Sequence, residues 1–275
     1  MVSIFSAHPA LRRLANLLLL TGVLAACVHT PAPVVQAQLS MLLPADAILV
    51  GEQHDASEHQ RLQLALVEAL TGRNQLAALV LEMADYGAGT AALARNAAPE
   101  QVQDALRWNA AGWPWERYAP SIMAAVRQGV PVLGANLPRD AMRQAMADPG
   151  LDTHLPPAAL ASQREAIRLG HCDLLPTERL MPMVRVQLAR DASMAKTIVE
   201  ALAPGKTVLL IAGGGHVLRD RGVPTYLPAG LRVRTVLAVA GLPTADDALA
   251  SDLVWPTPAL APVDYCAGLA RRVKG

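Results

Sequence analysis

Strand-length apolar runs, each ending in polar or ionisable residues, recur along this chain with helix-periodic segments between them. Ile48 to Val50 runs into Gly51-Glu52-Gln53-His54-Asp55, and Leu76 to Leu81 runs into Glu82-Met83. Val130 to Ala135 leads to Asn136-Leu137-Pro138-Arg139, Lys206 to Ala212 leads to Gly213-Gly214-Gly215-His216, and Arg232 to Ala240 is a fifth run. Between them, Leu62, Leu66, Val67 and Leu70 fall at helical spacing before Gly72, and Pro120 opens a helix through Ile122, Met123 and Val126. Pro182 opens a long helix whose apolar face is Val184, Leu188, Ala195, Ile198, Val199 and Leu202. Continuous apolar strands alternating with helices predict an α/β fold with a largely parallel central sheet flanked by helices. In such sheets the ligand crevice lies at the carboxyl ends of the strands.

The first 45 residues read differently. Arg12-Arg13 precede the apolar run Leu14 to Leu20, and small residues lead to Leu24-Ala25-Ala26-Cys27. A basic start, a short apolar stretch and a small-residue cleavage site predict a secretory signal over residues 1–26. The ending resembles a bacterial lipobox, which would make Cys27 the acylated first residue of a lipoprotein. Val28, not Asp, follows it, which by resemblance to enterobacterial sorting implies the outer membrane. Residues 27–45, with Pro31, Pro33 and Pro44, then read as a lipid-anchored tether, and residues 46–275 as a single α/β domain.

Removing residues 1–26 takes Arg12 and Arg13 from the 24 basic residues and none from the 23 acidic ones, leaving a formal charge of −1. That balance gives no electrostatic footprint for nucleic acid, and Arg271-Arg272-Val273-Lys274 reads as a solvated tail. Cys172 and Cys266 remain, and in an oxidising envelope compartment they are able to pair; their distance is not legible from the sequence, which leaves the disulfide open.

The strand ends gather the chemistry. Glu52 and His54, Glu82, Asn136 and Arg139, and His216, Arg219 and Asp220 come from four different runs, and four such endings together point to one site. Two of them share Gly-x-x-His, at Gly51 to His54 and Gly213 to His216, where glycine permits a tight turn. Two histidines with one or two carboxylates suit a divalent metal. Other motifs fail: Leu218 stands where the dinucleotide fingerprint needs its third glycine, Glu200 stands where a phosphate loop needs its first, and there is neither His-Glu-x-x-His nor Gly-x-Ser-x-Gly. Trp108, Trp113, Trp115 and Tyr118 are four of only nine aromatics. They read as a packing corner under a loop, or as a wall for a planar ligand with the Tyr118 hydroxyl as an iron ligand.

Taken in series, several motifs resemble one family. They are Gly51-Glu52-Gln53-His54-Asp55, Leu81-Glu82-Met83, Trp113-Pro114-Trp115-Glu116-x-Tyr118, Ala135-Asn136-Leu137-Pro138-Arg139, His171-Cys172, the set Gln187, Asp191, Met194 and Ala195, and Ala212-Gly213-Gly214-Gly215-His216 followed by Gly222-Val223-Pro224. From about residue 46 to 240 the chain is similar to the ChaN-like haem-binding uptake lipoproteins, within the wider Tiki, TraB and erythromycin-esterase-like group. The resemblance implies haem as ligand, a part in iron uptake at the outer membrane, a homodimer enclosing haem, and a tyrosine on iron, matched here by Tyr118 or Tyr86. The strand ends, the aromatic cluster and this resemblance together give a candidate ligand-binding set of Glu52, His54, Glu82, Trp113, Trp115, Tyr118, Asn136, Arg139, His216 and Arg219, with Tyr118, His54 and His216 as candidate metal ligands. The metalloprotease branch of the wider group implies an alternative, a metal-dependent hydrolase with His54 and His216 on a divalent metal and Glu52 or Glu82 as catalytic base.

Overall fold

The computed structural model describes residues 33–274, with side-chain surroundings for residues 34–269. The signal segment 1–26, the lipidation residue Cys27 and Val28 lie outside the described residues. In chain order the elements are α1 (Pro33–Leu42), β1 (Ala47–Glu52), α2 (Ser57–Gly72), β2 (Leu76–Asp85), α3 (Pro99–Ala105), α4 (Trp115–Arg127), β3 (Val132–Asn136) and α5 (Met142–Ala147). They continue with α6 (Pro157–Gly170), α7 (Thr177–Glu200), β4 (Thr207–Gly213), β5 (Val233–Ala240), α8 (Ala245–Ala250), β6 (Leu253–Thr257) and α9 (Tyr265–Lys274).

The strands form one sheet in the order β3-β2-β4-β1-β5-β6, and every pairing is parallel. Parallel strands need covered faces, and here alternate residues of each strand serve alternate faces. Ile48, Val50, Leu79, Leu81, Leu209 and Ile211 pack under α1, α2 and α4 against Leu39, Leu66, Leu70, Ile122 and Val126. Leu49, Val80, Leu210 and Ala212 face the opposite layer, where α7 presents Met194, Ala195 and Ile198. Each fully buried Leu or Ile contributes about 1.5–3 kcal/mol of transfer free energy. No described helix is long and apolar enough to cross a membrane.

Four expectations are corrected. The tether 27–45 is helical over Pro33–Leu42, because Val35, Leu39 and Leu42 fall on one face and are buried in the core; Pro33 opens the helix and Pro44 lies beyond its end. Pro120 and Pro182 do not open their helices, which begin at Trp115 and Thr177; each proline lies in the second turn, where it forfeits one hydrogen bond. A sixth strand, β6, has no counterpart in the sequence reading; its Pro256 is tolerated because, at the sheet's edge, there is no outer partner for the missing N–H. Glu52 and Glu82 lie inside β1 and β2, not after them. Gly51 makes no turn either; a Cβ there would lie 2.5 Å from Val217 Cγ2 and 2.9 Å from Gly214 Cα, so glycine is required by close approach of the turn after β4.

Candidate functional site

Strand order explains which endings meet. β4 lies between β2 and β1, so Glu82 near the end of β2, Gly213 at the end of β4 and Glu52 at the end of β1 stand on three adjacent strands, with Glu52 the register partner of Gly213. They open onto a cleft of about 600 Å³ at the carboxyl edge, lined also by Gln53, His54, Asp55, Arg117, Gln187, Gly214, Gly215, His216 and Tyr265. This is within the size range of small-molecule pockets.

Glu52 is the hub of the β1 side. Its Oε1 accepts from the Tyr118 hydroxyl at 2.7 Å and bonds His54 Nδ1 at 2.8 Å; its Oε2 accepts from Gln60 Nε2 at 2.8 Å and from Gln63 Nε2. His54 turns its Nε2 toward the Gly213 side of the cleft, and this nitrogen has no hydrogen-bond partner among the described residues. Burial opposes charge on His54, but the Glu52 hydrogen bond and the Glu82 and Glu52 charges outweigh it, so its pKa is raised. The loop is fixed from beneath by His59, fully buried, which accepts the Gln53 N–H at Nδ1 and therefore carries its hydrogen on Nε2, toward Thr257 Oγ1 at 3.0 Å. Burial lowers its pKa and keeps the ring neutral.

The β4 side is a buried charge triad. His216, on the 3-10 turn Gly214–Val217, bonds Asp191 Oδ1 through Nδ1 at 2.5 Å and sets Nε2 3.4 Å from Glu82 Oε1. Glu82 Oε2 accepts the Gly213 N–H at 2.7 Å. Burial works against the His216 charge, but Glu82 and Asp191 overcome it and raise its pKa to about 10. Burial works against Glu82 as well, and His216, His54 and the Gly213 N–H together hold it well below the usual carboxylate range. Asp191 goes the other way, pushed up to about 6, because its burial exceeds what one imidazolium returns.

These shifts set a pH optimum of stability. His216 binds its proton more tightly when folded, so its contribution is whole below its ordinary 6.5 and is lost as pH rises through about 10. Glu82 contributes fully above its ordinary 4.5 and loses that contribution in acid. Asp191 favours its protonated form, so it adds a penalty as pH rises from 3.8 through about 6. The melting temperature is expected to peak between about pH 4.5 and 6.5 and to fall steadily toward pH 10. A melting temperature flat from pH 6.5 to 10 by circular dichroism would contradict a buried His216 imidazolium.

Of the anticipated residues, the fold brings Glu52, His54, Glu82 and His216 together. Tyr118 supports the site from below: it is 1% exposed and donates to Glu52, and burial and that carboxylate raise its pKa. That corrects its assignment as the iron ligand. Tyr86 points elsewhere, bonded to Glu200 under Lys196. Trp115 packs on Trp108 against the core, while the Trp113 and His54 ring centroids are 4.8 Å apart with the planes at 69°, so the cluster is a packing corner that also braces His54. Asn136 and Arg139 do not line the cleft, because β3 is the sheet's edge strand beyond β2. Arg219 is also outside it, paired with Asp252 at 3.1 Å and bonded to the Leu249 carbonyl. The divalent-metal reading is not supported: His216 is bonded to two carboxylates, His54 keeps only its Nε2 free, and no group of three His, Cys, Asp or Glu able to hold a metal stands among the described residues. Asp55, Arg117 and Tyr265 were not anticipated at the cleft, and neither were Gln60 and Gln63 behind Glu52. Arg117 donates to the His54 carbonyl at 3.0 Å and is the only arginine or lysine in the described lining.

A family model described as haem-binding uptake, Tiki superfamily, ChaN, matches residues 38–227. A solved structure described as cofacial heme binding to ChaN of Campylobacter jejuni is 25% identical, with a TM-score of 0.66, over 80% of this chain and 90% of that one. The type III effector HopBA1 is 14% identical over 80% of this chain and 92% of that one, with a TM-score of 0.43. RRSP, a MARTX toxin effector domain from Vibrio vulnificus, is 15% identical over 80% and 39%, with a TM-score of 0.42. Curated proteins gave no match.

Proposed function

Because this chain belongs to the ChaN family of haem-binding uptake proteins in the Tiki superfamily, we propose that its cleft binds haem, with His54 Nε2 facing the iron and Arg117 meeting the carboxylates of the macrocycle. The observation that carries this reading is the unpartnered His54 Nε2 at the cleft, beside the glycines Gly213, Gly214 and Gly215, which add no side chain to its lining. Gly213 presents no side chain within reach of that nitrogen, and a Cβ on Gly215 would meet nothing within 4 Å. The residues fit the ligand: an imidazole on iron is oriented by a hydrogen bond from its other nitrogen, as Glu52 provides. Haem would supply an iron able to take this nitrogen; the chain supplies orientation, a bare wall and a cation. The Glu82–His216–Asp191 triad holds the wall in register behind Gly213.

We further propose that residues 1–26 act as a secretory leader and Cys27 as a lipid anchor, which would make the protein a lipid-anchored component of haem or iron uptake at the outer membrane of the bacterial envelope. In a homodimer, a second copy would cover the open side of each cleft.

Titrating the protein with hemin should give a saturating Soret change. Gly213→Leu, whose Cβ would start 3.1 Å from His54 Nε2 and 3.5 Å from Glu82 Oε2, should weaken binding about tenfold or more by occupying the ligand's place. An unchanged wild-type spectrum would refute the haem reading, and full affinity in Gly213→Leu would move haem to another surface.

A further inference from the structure

The C-terminal arm lies beyond residues 38–227, the stretch matched by the family model, and the haem reading makes no use of it. After β6 the chain runs through residues 258–264 without regular structure and enters α9. The first two residues of α9 bond to two different layers of the fold. The Tyr265 hydroxyl donates to Asp55, on the connection from β1 to α2, the layer that covers one face of the sheet. Cys266 forms a disulfide with Cys172, in the turn between α6 and α7, and α7 covers the opposite face.

Asp55 and Gln187 both line the cleft, the one beside α2 and the other from α7, so an arm bonded to Asp55 and to the α6–α7 turn passes from one layer to the other at the sheet's carboxyl edge. Tyr265 lines the cleft with His54, Asp55 and Arg117, yet is 54% exposed, and Val263 just before it is 57% exposed. The arm's side-chain bonds to the rest of the molecule run through the first two residues of α9, Tyr265 to Asp55 and Gln53 and Cys266 to Cys172. An element that buries so little apolar surface is held by its bonds more than by packing.

From this we infer that residues 258–269 are a disulfide-latched wall of the cleft, that Tyr265 contacts the bound ligand, and that reducing Cys172–Cys266 frees the wall. A dithiol reductant passes two electrons and two protons to the disulfide, leaving two cysteine thiols and becoming a disulfide itself. Cys266 is exposed, so the reductant reaches it from solvent. Only the ligand contact rests on the haem reading; the latch does not.

Hydrogen–deuterium exchange on the full protein tests the latch without any ligand. With the disulfide reduced, peptides from residues 258–274 should exchange about tenfold faster or more, while those of β1, β4 and α7 stay protected. Exchange that does not change on reduction overturns the latch. For the contact, hemin is loaded and its transfer to excess apomyoglobin is timed. Cys172→Ser with Cys266→Ser, and separately Tyr265→Ala with the disulfide intact, should each release hemin about tenfold faster. The second variant guards against loss of stability in the first. Wild-type release from Tyr265→Ala overturns the contact. If the wild-type protein takes up no hemin, the haem reading fails, and the exchange data alone decide the latch.

Discussion

Replacing His216 with alanine is expected to lower the unfolding free energy by about 3–5 kcal/mol, because it strips the counter-charge from two buried carboxylates. Glu82 and Asp191 are 6% and 1% exposed at the side chain, and neither has another cationic partner within salt-bridge distance among the described residues. One of them must then take up a proton, and the Gly213 N–H bond to Glu82 that fixes the end of β4 weakens with it. For a domain of this size the melting temperature should fall by about 10 °C or more. Urea denaturation with an unchanged slope measures the loss, and a change below about 1 kcal/mol would show that the triad does not hold the wall.

A loss of similar size is expected for Glu52→Ala, through hydrogen bonding. Gln60, Gln63, Tyr118 and His54 all converge on this carboxylate, and alanine leaves buried donors without an acceptor at about 1–3 kcal/mol each, part of which relaxation recovers, for a total of about 3–5 kcal/mol. Glu52→Gln keeps the volume and one acceptor oxygen, so it should lie between alanine and wild type. Near-ultraviolet circular dichroism adds a local readout, since Trp113 packs on the His54 ring. If Glu52→Gln unfolds as readily as Glu52→Ala, side-chain volume and acceptor capacity are not what the site requires.

Much of the sheet was legible because parallel strands buried on both faces must be apolar throughout, and five of the runs are. The identities of Glu52, His54, Glu82 and His216 were legible for the same reason, as abrupt polar ends to such runs. Strand order was not legible. Asn136 and Arg139 end a run just as His216 does, yet β3 lies at the sheet's edge and β4 at its centre. The supporting polar residues were hidden inside helices. Gln63 shares the buried face of α2 with Leu66, Val67 and Leu70, and Asp191 interrupts the buried stripe Leu188, Ala195 and Ile198 of α7. A carboxylate or amide inside an apolar stripe was the available signal, because a buried polar group needs a partner. Prolines misled at the start of the domain, where they disguised α1 as a linker.

The position of β4 in the middle of the sheet governs when the cleft exists at all. During synthesis β1 and β2 emerge early, but the strand that joins them arrives only after residues 86–206 have been made. Until then both strands keep open edges toward the missing neighbour, an arrangement prone to wrong pairing. Insertion of β4 closes two long loops at once, which makes it a late and slow event in folding. A chain stopped before Gly213 would have neither the centre of its sheet nor a site, so occupancy of the cleft would certify a finished molecule.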